Sequence, residues 1–204
     1  MAITAAEQQK IGAAIRAAEQ NTTGEIVCVL ARSSSDATAL PILLAATGAL
    51  VLPWLLVAFT ALAVERILAL QIIVFLLLVL VLCLPAVRVA LVPRAARRHI
   101  AHRVAMEQFL ARGIARKKDR CGVLIFVSLA ERYVRIIADE GIAARVPQAH
   151  WQGAVDTLVT HIKNGDIANG FVAAIALCGN ELAAHFPRAD AAAGHELPDR
   201  IYVI

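Results

Sequence analysis

Apolar positions are unevenly distributed along the chain, and their spacing changes character twice. From Ala37 to Val64 there is no charged residue, a run of about 28 against the ~20 that a helix needs to cross the hydrocarbon core of a bilayer. Glu65 and Arg66 interrupt it. Ile67 to Val87 is then uncharged for about 21 residues, with Gln71 as its polar exception. Two such runs in succession predict a transmembrane helical hairpin, Leu40–Val64 and Ile67–Val87, turning at Glu65–Arg66. Pro53 removes one backbone hydrogen bond and predicts a kink in the first helix.

Outside this block the periods are those of an α/β domain. Thr4-x-x-Glu7 is a capping box, in which hydroxyl and carboxylate each satisfy an orphan amide at a helix start. Ile11, Ala14, Ile15 and Ala18 then share one helical face, and Asn21–Gly24 ends the helix. Glu25–Ala31 is apolar on both faces, the pattern of a central strand covered by helices. After the hairpin, Arg94–Ala111 reads as a helix closed by Gly113, with Ile100, Val104 and Ala111 on its apolar side. Gly122–Ala130 and Tyr133–Ala138, separated by Glu131–Arg132, read as an antiparallel strand pair. Pro147 suits the first turn of a further helix, whose stripe is Trp151, Val155, Leu158 and Ile162. Asp166 caps a last long helix with the stripe Phe171, Ile175, Cys178, Leu182 and Phe186. The residues after Pro187 read as a loosely ordered tail in which Ile201–Ile204 has the composition to dock.

The predicted order is α-β-(membrane hairpin)-α-β-β-α-α. A lone strand does not make a stable sheet, so Glu25–Ala31 has to pair with strands beyond the insertion. The expected division is therefore one soluble domain in two parts (1–36 and 88–187), an inserted hairpin (37–87) and a C-terminal tail (188–204). Pairing across the insertion requires both soluble parts on the same side of the bilayer.

Charge orients the hairpin. Arg32 precedes the first span, and Arg88, Arg94, Arg97, Arg98 and Arg103 follow the second, whereas the tip carries Arg66 alone. Basic flanks are retained on the cytoplasmic side, so the soluble domain is expected in the cytoplasm and the tip outside, at the cell (inner) membrane. The Arg94–Arg103 stripe is expected to lie on anionic headgroups. Met1–Gln20 carries Glu7, Lys10, Arg16 and Glu19 at helical spacing and is not read as a signal peptide. A net charge of +4, without a basic face interleaved with aromatics, argues against nucleic acid as a partner. Cys28, Cys83, Cys121 and Cys178 form no Cys-x-x-Cys pair and read as buried reduced thiols.

Three segments carry a resemblance: Thr23–Val29 (TGEIVCV), Arg120–Val127 (RCGVLIFV) and Arg135–Ile142 (RIIADEGI), with Asp166–Phe171 (DIANGF) near the end. In this order they resemble the TPM domain family, in its short bacterial membrane-anchored branch. The resemblance implies an α/β/α sandwich, here split by the inserted two-helix hairpin. Members of the family are linked to photosystem repair, to receptor accessory roles, to acid phosphatase activity and to divalent-metal binding. Many carry the domain outside the cytoplasm behind a signal peptide, with a membrane helix at the end. The internal anchor and the basic flanks depart from that pattern.

No Gly-x-Ser-x-Gly, phosphate-cradling Gly loop or His-Glu-x-x-His occurs. The candidate chemistry lies in acids at strand ends: Asp119 before one strand, Asp139 and Glu140 after the next. A strand hairpin would gather them into an oxygen-rich site for Ca²⁺ or Mg²⁺, and a metal-activated water there would serve phosphate-ester hydrolysis. Solvated strand-end residues are the simpler reading. His99 and His102 are read as part of the basic stripe, His150 as a half-buried surface residue, and His161 and His185 as flanks of apolar stripes. Ser128 reads as a small polar core residue. Neither span carries a mid-membrane ionisable group, which argues against transport. Two functions follow: an accessory or binding module docking on other membrane proteins, or a metal-dependent acid phosphatase-like hydrolase of low specificity.

Overall fold

The structure is a computed structural model in which residues 3–34, 39–84, 87, 92–114, 120–188 and 197–204 are described. The chain forms two compact units, one made of residues 1–34 and 100–204, the other of residues 35–99.

The first unit is a four-stranded sheet between layers of helices. α1 (Ala5–Glu19) opens on the predicted capping box, with the Glu7 amide donating to Thr4 Oγ1 at 3.3 Å and the Thr4 amide to Glu7 Oε2 at 2.7 Å. β1 (Glu25–Ala31) pairs parallel with β2 (Gly122–Ser128), and β2 pairs antiparallel with β3 (Tyr133–Ala138). The two halves of the chain on either side of the apolar insertion thus share one sheet. β4 (Ile201–Val203) lies parallel to β1 on its other side, giving the order β3-β2-β1-β4. The tail expected to be loose therefore ends in a strand. The reason is physical: with all seven of its residues buried, β1 has an edge whose amides and carbonyls need partners other than water.

Alternation along β1 and β2 builds two cores. Ile26, Cys28, Leu30, Val123, Ile125 and Val127 face α1 and the C-terminal helices. Val27, Val29, Ala31, Leu124 and Phe126 face α4 (Arg94–Ala111). α4 has the predicted bounds, and Gly113 (φ 77°) follows it in the left-handed region. Its buried positions differ from expectation: Ala101, Ala105 and Phe109, not Ile100 and Ala111. Small side chains let the helix backbone approach the sheet, so alanines take the face that larger residues were expected to occupy.

The strand pair β2–β3 turns through Leu129–Arg132, with Arg132 at φ 52°. Asp139 then caps α5 (Glu140–Ala143), a short helix. A 3₁₀ turn (Gln148–Trp151) leads into α6 (Gln152–Lys163), and α7 (Ile167–His185) closes the layer with its predicted stripe buried. Thr22 ties the ends together, its hydroxyl donating to the Phe186 carbonyl at 2.7 Å.

The second unit contains α2 (Ala39–Phe59) and α3 (Val64–Leu82). The connection is Thr60–Ala63, so α2 stops earlier than expected and Glu65 and Arg66 lie in the first turn of α3, where the exposed amides favour the Glu65 carboxylate. Ala45 and Ala49, one turn apart on α2, are buried, and a Cβ at Gly48 would stand 3.3 Å from Leu78 Cδ1. This small-residue seam is how helices approach closely in lipid. Among the described residues three helices, α2, α3 and α7, are long and apolar enough to cross a membrane. Only 11% and 6% of the first two are buried against protein, whereas 50% of α7 is, which makes α7 a helix of the domain core.

Candidate functional site

The strand-end acids form the first candidate. Asp119 lies outside the described residues. Asp139 and Glu140 do sit at the β2–β3 end predicted for them, since Val123 pairs with Ala138 and the Asp139 amide donates to the Gly122 carbonyl at 2.9 Å. Asp139 is buried. Its Oδ1 accepts the Glu140 amide at 2.8 Å and starts α5, while its Oδ2 has no hydrogen-bond partner among the described residues. Glu140 is exposed and ion-pairs with Arg120, which adopts φ 46° beside it. One carboxylate thus works as a helix cap with a spare oxygen, and the other is engaged by a guanidinium.

The opposite end of the sheet holds a constellation that sequence reasoning missed. Ligands of open α/β sheets gather at the carboxyl ends of parallel strands, and here β2 ends in Ser128 while Ser33 and Ser34 follow the end of β1. Glu131, in the β2–β3 turn, is 6% exposed. Its carboxylate accepts from Ser33 Oγ at 3.1 Å, from the Ser34 amide at 3.0 Å and from Ser128 Oγ. Ser34 Oγ donates to Ser128 Oγ at 2.8 Å. Next to this knot a cleft of about 480 Å³ runs between the β2–β3 turn and α6. Ser128, Arg132, Tyr133, Ile162 and Lys163 line it, two of them cationic. The arrangement suits a small anionic ligand held by Arg132 and Lys163 against an apolar wall. In the sequence, Ser33–Asp36 reads as a linker to the membrane and Glu131–Arg132 as a turn. Only the β1–β2 register, with Ala31 opposite Ser128, brings them together.

Of the histidines in the basic stripe, His102 places Nδ1 3.3 Å from the Tyr133 hydroxyl. His161 Nδ1 stands 3.6 Å from Asp166 Oδ2, so it is held by the residue that caps the next helix. Cys28, Cys121 and Cys178 are buried, and burial pushes the Cys28 thiol well above its ordinary pKa, which leaves it unreactive.

The family model described as the TPM domain matches residues 85–181, the stretch from the end of the hairpin to the last turns of α7. Among solved structures, the chain is similar to the NMR structure of the BA42 protein from the psychrophilic bacterium Bizionia argentinensis. The identity is 22%, the TM-score 0.63, and the likeness covers 100% of this chain and 97% of that one, which establishes the shared fold. No curated protein matches the sequence.

Proposed function

We propose, from the match of residues 85–181 to the TPM domain model, that this chain is a membrane-anchored binding or accessory module. The observation that carries the reading is the hairpin. Trp54, Phe59 and Leu80 are each at least 71% exposed in a unit whose charged residues cluster at its ends. Such surface belongs in lipid or against other apolar spans. The anchor leaves the sheet after β1 and returns to it before β2, so the domain is held at the bilayer by both of its halves. The basic residues flanking the hairpin support a cytoplasmic domain at the inner membrane, with the Arg94–Arg103 stripe on anionic headgroups and other membrane proteins as partners.

The test is fractionation of the full chain beside a variant in which residues 35–99 are replaced by a short polar linker. The full chain should stay with membranes through a high-salt and alkaline wash, and the variant should be soluble and folded. A full chain released by the wash would overturn the anchor.

A second reading, metal-dependent phosphomonoester hydrolysis with Ca²⁺ or Mg²⁺ at Asp139 and Glu140, is supported by the spare Asp139 Oδ2. Hydrolysis of a generic phosphomonoester by the full chain in detergent, with and without either ion, tests it beside Asp139→Ala/Glu140→Ala. Metal-dependent turnover lost in the variant favours this reading. Turnover equal in both, or none above a mock preparation, removes it.

A further inference from the structure

Away from both strand ends, three side chains of metal-binding type converge on the outer surface of the α6–α7 layer. His150 belongs to the 3₁₀ turn, where its amide donates to the Pro147 carbonyl at 3.0 Å and its neighbour Trp151 is buried to 1% exposure. Glu181 and His185 stand one turn apart on α7, on the side that carries the buried Cys178 and Leu182, where the helix nears its C-terminal end and both side chains reach partial exposure. His150 Nδ1 lies 3.3 Å from Glu181 Oε2, and His185 Nε2 lies 4.0 Å from the same oxygen. The two imidazole rings meet edge-on with centroids 6.4 Å apart, and one donor atom from each of the three residues fits within 4.8 Å of the others.

We propose that His150, Glu181 and His185 form a binding site for a borderline transition-metal ion, Zn²⁺ by preference. A tetrahedral ion with bonds of about 2.0–2.2 Å places its ligand atoms roughly 3.3–3.6 Å apart. One edge of the triad already has that length, and the others close by rotation of half-exposed side chains. The donor set is two imidazoles and one carboxylate, with the remaining position open to water. That set selects Zn²⁺, Co²⁺ or Ni²⁺ over Ca²⁺ and Mg²⁺, which take oxygen ligands. The placement also favours a cation, because the last turn of α7 presents unsatisfied carbonyls and the negative end of the helix. Both elements are anchored by buried residues, so the donors are presented from fixed backbones. A bound ion would tie the 3₁₀ turn to the C-terminal end of α7, two segments of the chain that a single helix does not join. This site is separate from the Asp139–Glu140 candidate in position and in the class of metal it takes, so either can fail without the other.

The experiment is titration of the full chain in detergent with Co²⁺, read by its visible d–d absorption and then reversed by Zn²⁺. A single tight equivalent with tetrahedral intensity is expected, weakened at least about tenfold in His150→Ala and in His185→Ala. His102→Ala and His161→Ala should bind as the wild type does. Zn²⁺ should raise the thermal midpoint of the wild type and of both controls, and of neither site variant. Glu181→Gln gives a third variant that keeps the shape of the surface, and it too should lose the equivalent. Absence of that equivalent in the wild type, or its retention in His150→Ala and His185→Ala, would overturn the site. So would its loss in His102→Ala alone, which would move the ion to the basic stripe.

Discussion

Glu19 ends α1 inside the domain, 2% exposed, where its Oε1 accepts the Ile26 amide at 2.7 Å and the Asp199 carboxyl stands near its own. Burial pushes its pKa up to about 8 from 4.5, with the Ile26 bond opposing the shift and the charges of Asp199 and Glu25 adding to it. An acid with a raised folded-state pKa holds its proton more tightly in the fold. Its stabilising contribution is therefore complete below about pH 4.5 and is lost as the pH climbs to about 8. Glu19→Gln carries a permanent donor toward Asp199, and its thermal midpoint should fall less than that of the wild type across this window. An unchanged slope would assign the pH dependence to other groups. Asp139 needs a similar separation of roles. Asp139→Ala removes the cap of α5 at a cost of about 1 kcal/mol, whereas Asp139→Asn keeps a capping oxygen and loses the charge. If a divalent ion sits there, Asn should match the wild-type midpoint without metal and lose the shift produced by Ca²⁺ or Mg²⁺. At this scale the sequence is legible where partners are close along the chain, as with Thr4 and Glu7. It is silent where they are distant: Glu131 finds Ser33 and Ser34 nearly a hundred positions away, and no local pattern marks that meeting.

Strands and helices with strong periods are read correctly because period reports burial directly. β1 with seven buried residues, the α7 stripe and the bounds of α4 all follow from it. β4 carries too few residues for a period to register, and it is its partner that makes it a strand. The Arg32 amide donates to the Ile204 carbonyl at 2.9 Å and the Ile204 amide to Leu30 at 3.0 Å. Arg112 and Arg200 stack on the Tyr202 ring at 3.8 and 4.8 Å. Ile201, 6% exposed, joins the core on the α1 side. Ile201→Ala should cost about 2 kcal/mol, measured by chemical denaturation. Removing 201–204 should cost more, because it also strips the β1 edge of its partner, and it should promote association through that edge. A truncated chain as stable and monomeric as the wild type would mean that β1 tolerates an open edge.

A sheet assembled from both sides of an insertion constrains the whole molecule. β1 and β2 pair residue by residue from Glu25–Gly122 to Ala31–Ser128, so the chain has to return to the side it left. In the proposed membrane-anchored arrangement an even number of crossings satisfies this, and α2 and α3, long and apolar enough to cross and with little protein around them, would supply it. α7 has the composition for a third crossing, but its buried half is spent on the α1–sheet core, and drawing it into lipid would dismantle that core. Length and hydropathy alone do not separate α7 from the spans; the face it buries does. The cytoplasmic side proposed for the domain rests on charge, with Arg94, Arg97, Arg98 and Arg103 beyond the second apolar helix against Arg66 near the tip. Single cysteines introduced at Ala61, in the connection, and at Glu140, on the exposed face of the domain, should give opposite answers with a membrane-impermeant maleimide on intact cells. Ala61→Cys should be labelled and Glu140→Cys protected until the cells are opened, with the four native positions changed to serine or alanine. Reversed labelling would put the domain outside and relocate the search for partners and metals to that compartment. Labelling of both from one side would mean that the hairpin enters the bilayer without crossing it, and the basic flanks would then owe their place to headgroups alone.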